Sequence, residues 1–156
     1  DVEVCTRHWS GNERTTRGET LIDHELMSVI LRRYSQIDRQ YDPECPYLTW
    51  RHPIEPDFPT LVLAEYDFLH TVSIQNQLVA DSLKYDLTSV ELFYTPVPRP
   101  EGWMAVFFNM LTRVIWVIDP LYHNKLACPP TGQRDEIIAW KLHDALFTCL
   151  NEFYTG

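Results

Sequence analysis

The chain has 156 residues, 45% of them hydrophobic and 13% aromatic, which is enough for one domain with a buried core. Twenty-two acidic against thirteen basic side chains leave a net charge of −9, so the averaged field repels phosphate backbones and argues against nucleic acid as a partner. No run approaches the roughly 18 consecutive apolar residues of a membrane span and no signal-peptide pattern opens the chain, so no membrane partner and a cytoplasmic or nuclear location are expected.

Residues 1–19 are polar, with Arg7, Arg14 and Arg17 interrupted by Glu13, and a polar arm is expected there ahead of a single domain over 20–156. Thr20 followed by Asp23 has the form of a capping box. Ile22, Leu26, Val29, Ile30, Tyr34, Ile37 and Tyr41 then recur at helical spacing, predicting a helix over about 21–41 with Arg32, Arg33, Asp38 and Arg39 on its wet face. Pro43, Pro46, Pro53, Pro56 and Pro59 follow, a density that predicts a connecting loop, held to the body by Tyr47, Trp50 and Phe58. Asp67 is expected to cap a helix running to about Leu83 on a stripe of Leu69, Val72, Gln75/Asn76, Val79 and Leu83.

Val90 to Tyr94, Trp103 to Asn109 and Val114 to Ile118 are dense in β-branched and aromatic residues, predicting three strands, the last two joined as a hairpin through Met110 to Arg113. Val114-Ile115-Trp116-Val117-Ile118 is apolar on both faces, so it is expected to be a central strand covered by helices on both sides. After a break at Pro129, Pro130 and Gly132, Ile138, Leu142, Ala145, Leu146, Cys149, Leu150 and Phe153 trace one face of a terminal helix over about 134–154. The fold class is α+β: three or more strands, with a central apolar hairpin packed between helices.

Cys5, Cys45, Cys128 and Cys149 are scattered without framework spacing, which predicts reduced thiols. Cys149 falls on the apolar helix face, where a buried, inert thiol is expected, and Cys128 falls in a loop. Cys5 with His8, and His123 with Cys128, are short half-sites at opposite ends of the chain, too far apart for a recognisable zinc motif. His70 and His143 fall on predicted helices as surface or boundary positions, and the five glycines form no phosphate-binding loop. No metal and no cofactor are expected. Asp119 precedes Pro120, a pair that commonly starts a turn at a strand end.

The stretch from Gly102 to Leu121 resembles the core hairpin of the Ulp-type cysteine peptidases, the SUMO-processing protease family. In that family a His-Trp pair opens one strand, and an Asp seventeen positions after the His orients it. Trp103 holds the place of the tryptophan and Asp119 the place of the Asp, while Gly102 stands where the catalytic His would be. Trp50-Arg51-His52 is similar to the region after the first helix in plant members. The resemblance spans about residues 20–155 and lacks the family's last third. No Asp-Cys-Gly nucleophile motif occurs in the chain, and the triad chemistry of base, oriented tautomer and oxyanion donors needs one.

The resemblance therefore implies a truncated domain with no intact catalytic set, in which Gly102 and Asp119 are relic positions. It implies a non-catalytic, protease-derived interaction module whose uncovered apolar face binds a protein partner or a second copy, with Trp103, Trp116 and Phe153 assigned to binding. Two other readings stay open. One is an active or split peptidase for ubiquitin-like modifiers, with Cys128 as nucleophile or with Cys and Gln supplied by a second polypeptide. The other is a reader of SUMO or a related modifier, in which Trp103 lies over the modifier's tail. Trp103 also reads simply as a core residue.

Overall fold

The fold is described from a computed structural model over residues 3–8, 22–41, 50–79, 83, 85–100, 102–120 and 129–154. Its elements in chain order are β1 (Glu3–His8), α1 (His24–Tyr41), β2 (Arg51–Pro53), α2 (Asp57–Leu63), α3 (Val72–Leu78), β3 (Leu92–Arg99), β4 (Gly102–Asn109), β5 (Val114–Asp119) and α4 (Pro129–Tyr154). The architecture is α+β. One five-stranded mixed sheet runs in the order β1-β5-β4-β3-β2, with antiparallel pairing among β3, β4 and β5 and a parallel strand at each edge.

The period of two along β4 decides which face holds the core. Met104, Val106 and Phe108 are buried while Trp103, Ala105 and Phe107 are half-buried, and β5 repeats the alternation with Ile115 and Val117 against Val114, Trp116 and Ile118. On this first face, α2, α3 and α4 close over the sheet, bringing Phe58, Ile74, Leu78, Leu142 and Leu146 into one apolar cluster. α4 supplies that cover because its 3.6-residue period brings Leu142, Ala145, Leu146 and Cys149 onto one stripe.

Several expectations are corrected. Within the expected polar arm, Glu3–His8 forms an edge strand parallel to β5, an element held by the main-chain ladder, which leaves little side-chain signature. The proline-rich stretch holds β2 and α2 as well as loop. Pro59 occupies the first turn of α2, where its N–H would lack an intrahelical acceptor in any case, and Pro53 ends an edge strand. α4 likewise starts at Pro129, so the predicted break at Pro129, Pro130 and Gly132 is its first turn. Asp67 caps a short turn ahead of α3 through the main-chain N–H of His70, at 3.2 Å, and the N-cap of α3 itself is Thr71. The α3 side chains that are buried are Ile74 and Leu78, off the predicted stripe, while Val72 is exposed.

α1 also turns a different flank inward. Leu31 is buried, while Leu26, Val29 and Tyr34 on the predicted core stripe are 49%, 58% and 59% exposed. Arg32 is exposed, as expected of the wet face, and forms a two-pronged bond to Glu55 at 2.6 and 2.7 Å on the side of the helix beside β2. β5 is internal but not the middle strand, which is β4, and the helices packed on it lie on the first face. Pro43, Pro46, Tyr47, Cys45, His123 and Cys128 lie outside the described residues.

Two prolines inside β3 are tolerated for a reason visible in the ladder. The N–H of Ile54 donates to the carbonyl of Tyr94 at 2.8 Å, so the even-numbered residues of β3 aim their main-chain groups away from β4. β2 pairs only as far as Tyr94, and among the described residues no strand continues alongside. Pro96 and Pro98 thus lack N–H groups that would meet no ladder carbonyl.

Candidate functional site

Three first-face positions meet at one end of the hairpin. Arg99 ends β3 directly opposite Gly102, which opens β4, and Asp119 ends β5. Gly102 is buried with φ 147°, a conformation that a Cβ would make costly, and its missing side chain leaves room for the Arg99 guanidinium to cross toward β5. Nη1 of Arg99 donates to Oδ2 of Asp119 at 2.7 Å, and Nη2 donates to Oδ1 of Asp135 on α4. The three side chains are only 11%, 6% and 3% exposed. Burial pushes the Asp135 carboxyl above the ordinary carboxylate value; the Arg99 cation opposes this and the neighbouring Asp119 charge adds to it.

This arrangement ties α4 to the end of the sheet. Asp119 faces a guanidinium, which has no acceptor and does not deprotonate, so its bond to Arg99 positions no base. The thiol of Cys149 is fully buried on α4, and burial pushes it up to about 12, which removes thiolate at neutral pH. The expected relic positions Gly102 and Asp119 thus lie at the same end of the hairpin, linked through Arg99, which stands opposite Gly102 in the ladder and bonds Asp119. Sequence reasoning missed Arg99 and Asp135. They stand 20 and 16 residues from Asp119 on different elements, and no local spacing links them.

The three residues assigned to binding do not converge. Trp103 is half-buried on the second face, where its indole Nε1 donates to the carbonyl of Ile22 at 2.8 Å and its ring lies 5.3 Å from that of His24. Phe153 packs against the core cluster from α4, on the first side of the sheet. Trp116 shares the second face with Trp103 and stands directly opposite Phe107, which stands opposite Tyr94. The Tyr94 and Phe107 rings stack at 5.8 Å and 18°, so an aromatic row crosses β3, β4 and β5. Tyr94 and Phe107 were readable only once the register was known.

Two cavities lie elsewhere. A polar cleft of about 240 Å³ between α1, β2 and α3 is lined by Arg32, Gln36, His52, Glu55, Gln77 and Tyr85. There the Nδ1 of buried His52 lies 2.6 Å from the Tyr85 hydroxyl. A second cavity of about 390 Å³ sits under the turn of the β4–β5 hairpin, at the opposite end of these strands from Asp119. Among the described residues no group of three His, Cys, Asp or Glu side chains is placed to hold a metal ion, and no helix is long and apolar enough to cross a membrane. Comparison of the chain with protein-family models, curated proteins and solved structures returns no match.

Proposed function

We propose that the chain is a non-catalytic interaction module, derived from a Ulp-type peptidase, whose second sheet face binds a protein partner or a second copy of itself. The observation that carries this reading is the row of Tyr94, Phe107 and Trp116, three half-buried aromatic rings at ladder spacing on a face where α2, α3 and α4 do not lie. Aromatic side chains, Trp and Tyr above all, are enriched among the residues that carry binding energy at protein interfaces. In this reading the Asp119 carboxylate serves as a structural tie, bonded by the Arg99 guanidinium that also reaches Asp135 on α4.

The test is the absolute mass of the native particle by light scattering, with mass spectrometry of what co-purifies, repeated on Phe107→Ser and Trp116→Ser. A dimer or stoichiometric complex that dissociates in both variants, with the fold retained by circular dichroism, supports the reading. A monomer that carries no partner, or a complex indifferent to both substitutions, overturns it. Trp103, which the modifier-reader alternative would place over a peptide tail, is instead tied to Ile22 and His24, so the row across β3, β4 and β5 is the better-supported surface.

A further inference from the structure

We propose that the cavity under the β4–β5 turn binds a small amphipathic carboxylate: an alkyl or aryl body seated on the apolar wall and one anionic head at Arg113. This inference does not depend on the second-face reading, because the cavity lies on the side of the sheet that α4 covers.

The volume, about 390 Å³, falls within the roughly 300–1,000 Å³ of small-molecule sites. Phe108 and Ile115 of the sheet and Phe147 of α4 supply an apolar wall, with Met110 and Val114 at the turn. Its polar groups are few: Asn109, Arg113 and His143. No carboxylate appears among the described lining residues, although the chain as a whole carries a net charge of −9. The lining is thus locally cationic in an anionic protein, and that sign selects an anion.

Arg113 supports the same conclusion from its backbone. It is exposed, makes no ion pair among the described residues, and holds φ 56°, a left-handed conformation that Gly or Asn adopts far more readily. A turn under no other demand would carry one of those residues, and here the position carries a cation on the cavity rim. His143 is held beside it. Its ring lies 4.6 Å from that of Phe147 and 5.3 Å from that of Trp140, and Nδ1 lies 3.0 Å from Oδ1 of Asp144, an exposed carboxylate outside the lining. That bond leaves Nε2 as the ring nitrogen open to a ligand head.

The experiment titrates the whole chain with decanoate below its micelle concentration, by calorimetry and by methyl chemical shifts, beside decanol and decyltrimethylammonium. Decanoate should saturate at one site, shift the Ile115 and Met110 methyls, and bind about tenfold tighter than the cationic amphiphile, the effect of one charge-assisted contact. Arg113→Gln should weaken decanoate about tenfold while leaving decanol unchanged, because it removes the charge and spares the wall. Phe147→Glu should weaken all three. Decanoate that binds no tighter than decyltrimethylammonium, an Arg113→Gln variant that binds decanoate as wild type does, or shifts confined to residues away from the turn would each overturn the proposal.

Discussion

The two ends of the β4–β5 hairpin solve opposite problems with the same strands. At the Gly102 and Asp119 end Arg99, Asp119 and Asp135 are turned inward: one guanidinium bonds two carboxylates, and α4 packs over them. At the Asn109 to Val114 end the strands and α4 leave an apolar cavity, with Leu111 69% exposed at the tip and Arg113 exposed on the rim without an ion pair among the described residues. Charges buried in mutual pairing hold elements together, and charges kept at a rim remain free to meet a ligand. Asp119, the carboxylate singled out by sequence spacing, lies at the closed end, so the position read from spacing and the access read from surface shape fall at opposite ends of one hairpin.

Opening the closed end should produce the largest effect. Arg99→Met leaves Asp119 and Asp135 buried without their cation, and removing one partner of a buried ion cluster costs about 3–5 kcal/mol. Urea unfolding reads this directly, and a loss below about 1 kcal/mol would mean the cluster is solvated. The pH dependence carries a definite sign. The Asp135 carboxyl sits above its ordinary value of 3.8 in the fold, so its contribution to stability is fully present below 3.8 and is lost as pH rises through the folded value. Arg99→Met removes the cation that restrains that rise, so its deficit against wild type should be greatest at neutral pH and shrink on acidification. Asp135→Asn should gain on wild type as pH rises above the ordinary carboxylate value of 3.8, and parallel curves for the two proteins would contradict the assignment.

Gly102→His tests the same end from the backbone. With φ at 147°, any side chain at 102 costs about 1–3 kcal/mol, and an imidazole must also displace the guanidinium from Asp119. The variant should be less stable by thermal melting and silent toward ubiquitin-like modifier substrates, and measurable turnover would overturn the non-catalytic reading. Between the two ends, Cys149→Ser places a hydroxyl in the dry α4 seam and should cost about 1–3 kcal/mol. The wild-type Cys149 thiol, pushed up to about 12, should resist thiol reagents until the chain unfolds.

The sequence was most legible where burial imposes a strict period. The hairpin strands and the α4 stripe at Leu142, Ala145, Leu146 and Cys149 follow from alternation and 3.6-residue spacing. It was misleading where a partner outside the window sets the outcome. The apolar stripe of α1 through Leu26, Val29 and Tyr34 is a correct helix signal, yet the flank that turns inward is the one at Leu31, beside the pair that Arg32 makes with Glu55 twenty-three residues away. β2 and α2 were hidden by prolines that sit at an edge and in a first turn, the two places where a missing N–H costs least. The charge cluster was half visible. Asp119 and Gly102 could be singled out by spacing, whereas Arg99 and Asp135 become neighbours only when β3 pairs with β4 and α4 packs across the sheet.

The smallest expected effect is also a gain. Arg113 at φ 56° carries the left-handed penalty of roughly 1 kcal/mol or more that glycine avoids, so Arg113→Gly should stabilise the protein by about that amount in urea unfolding. Stabilisation from deleting a charged surface residue is uncommon and would mean the turn holds strain for a purpose beyond folding. The closed end should respond oppositely, since Gly102 already has the residue its backbone requires and every replacement there should destabilise. If Arg113→Gly is more stable and also binds decanoate more weakly, fold and ligand make opposing demands at position 113, and the open end is a site. A destabilised Arg113→Gly would mean that the side chain packs on the hairpin, reducing the contrast between the two ends to one of exposure alone.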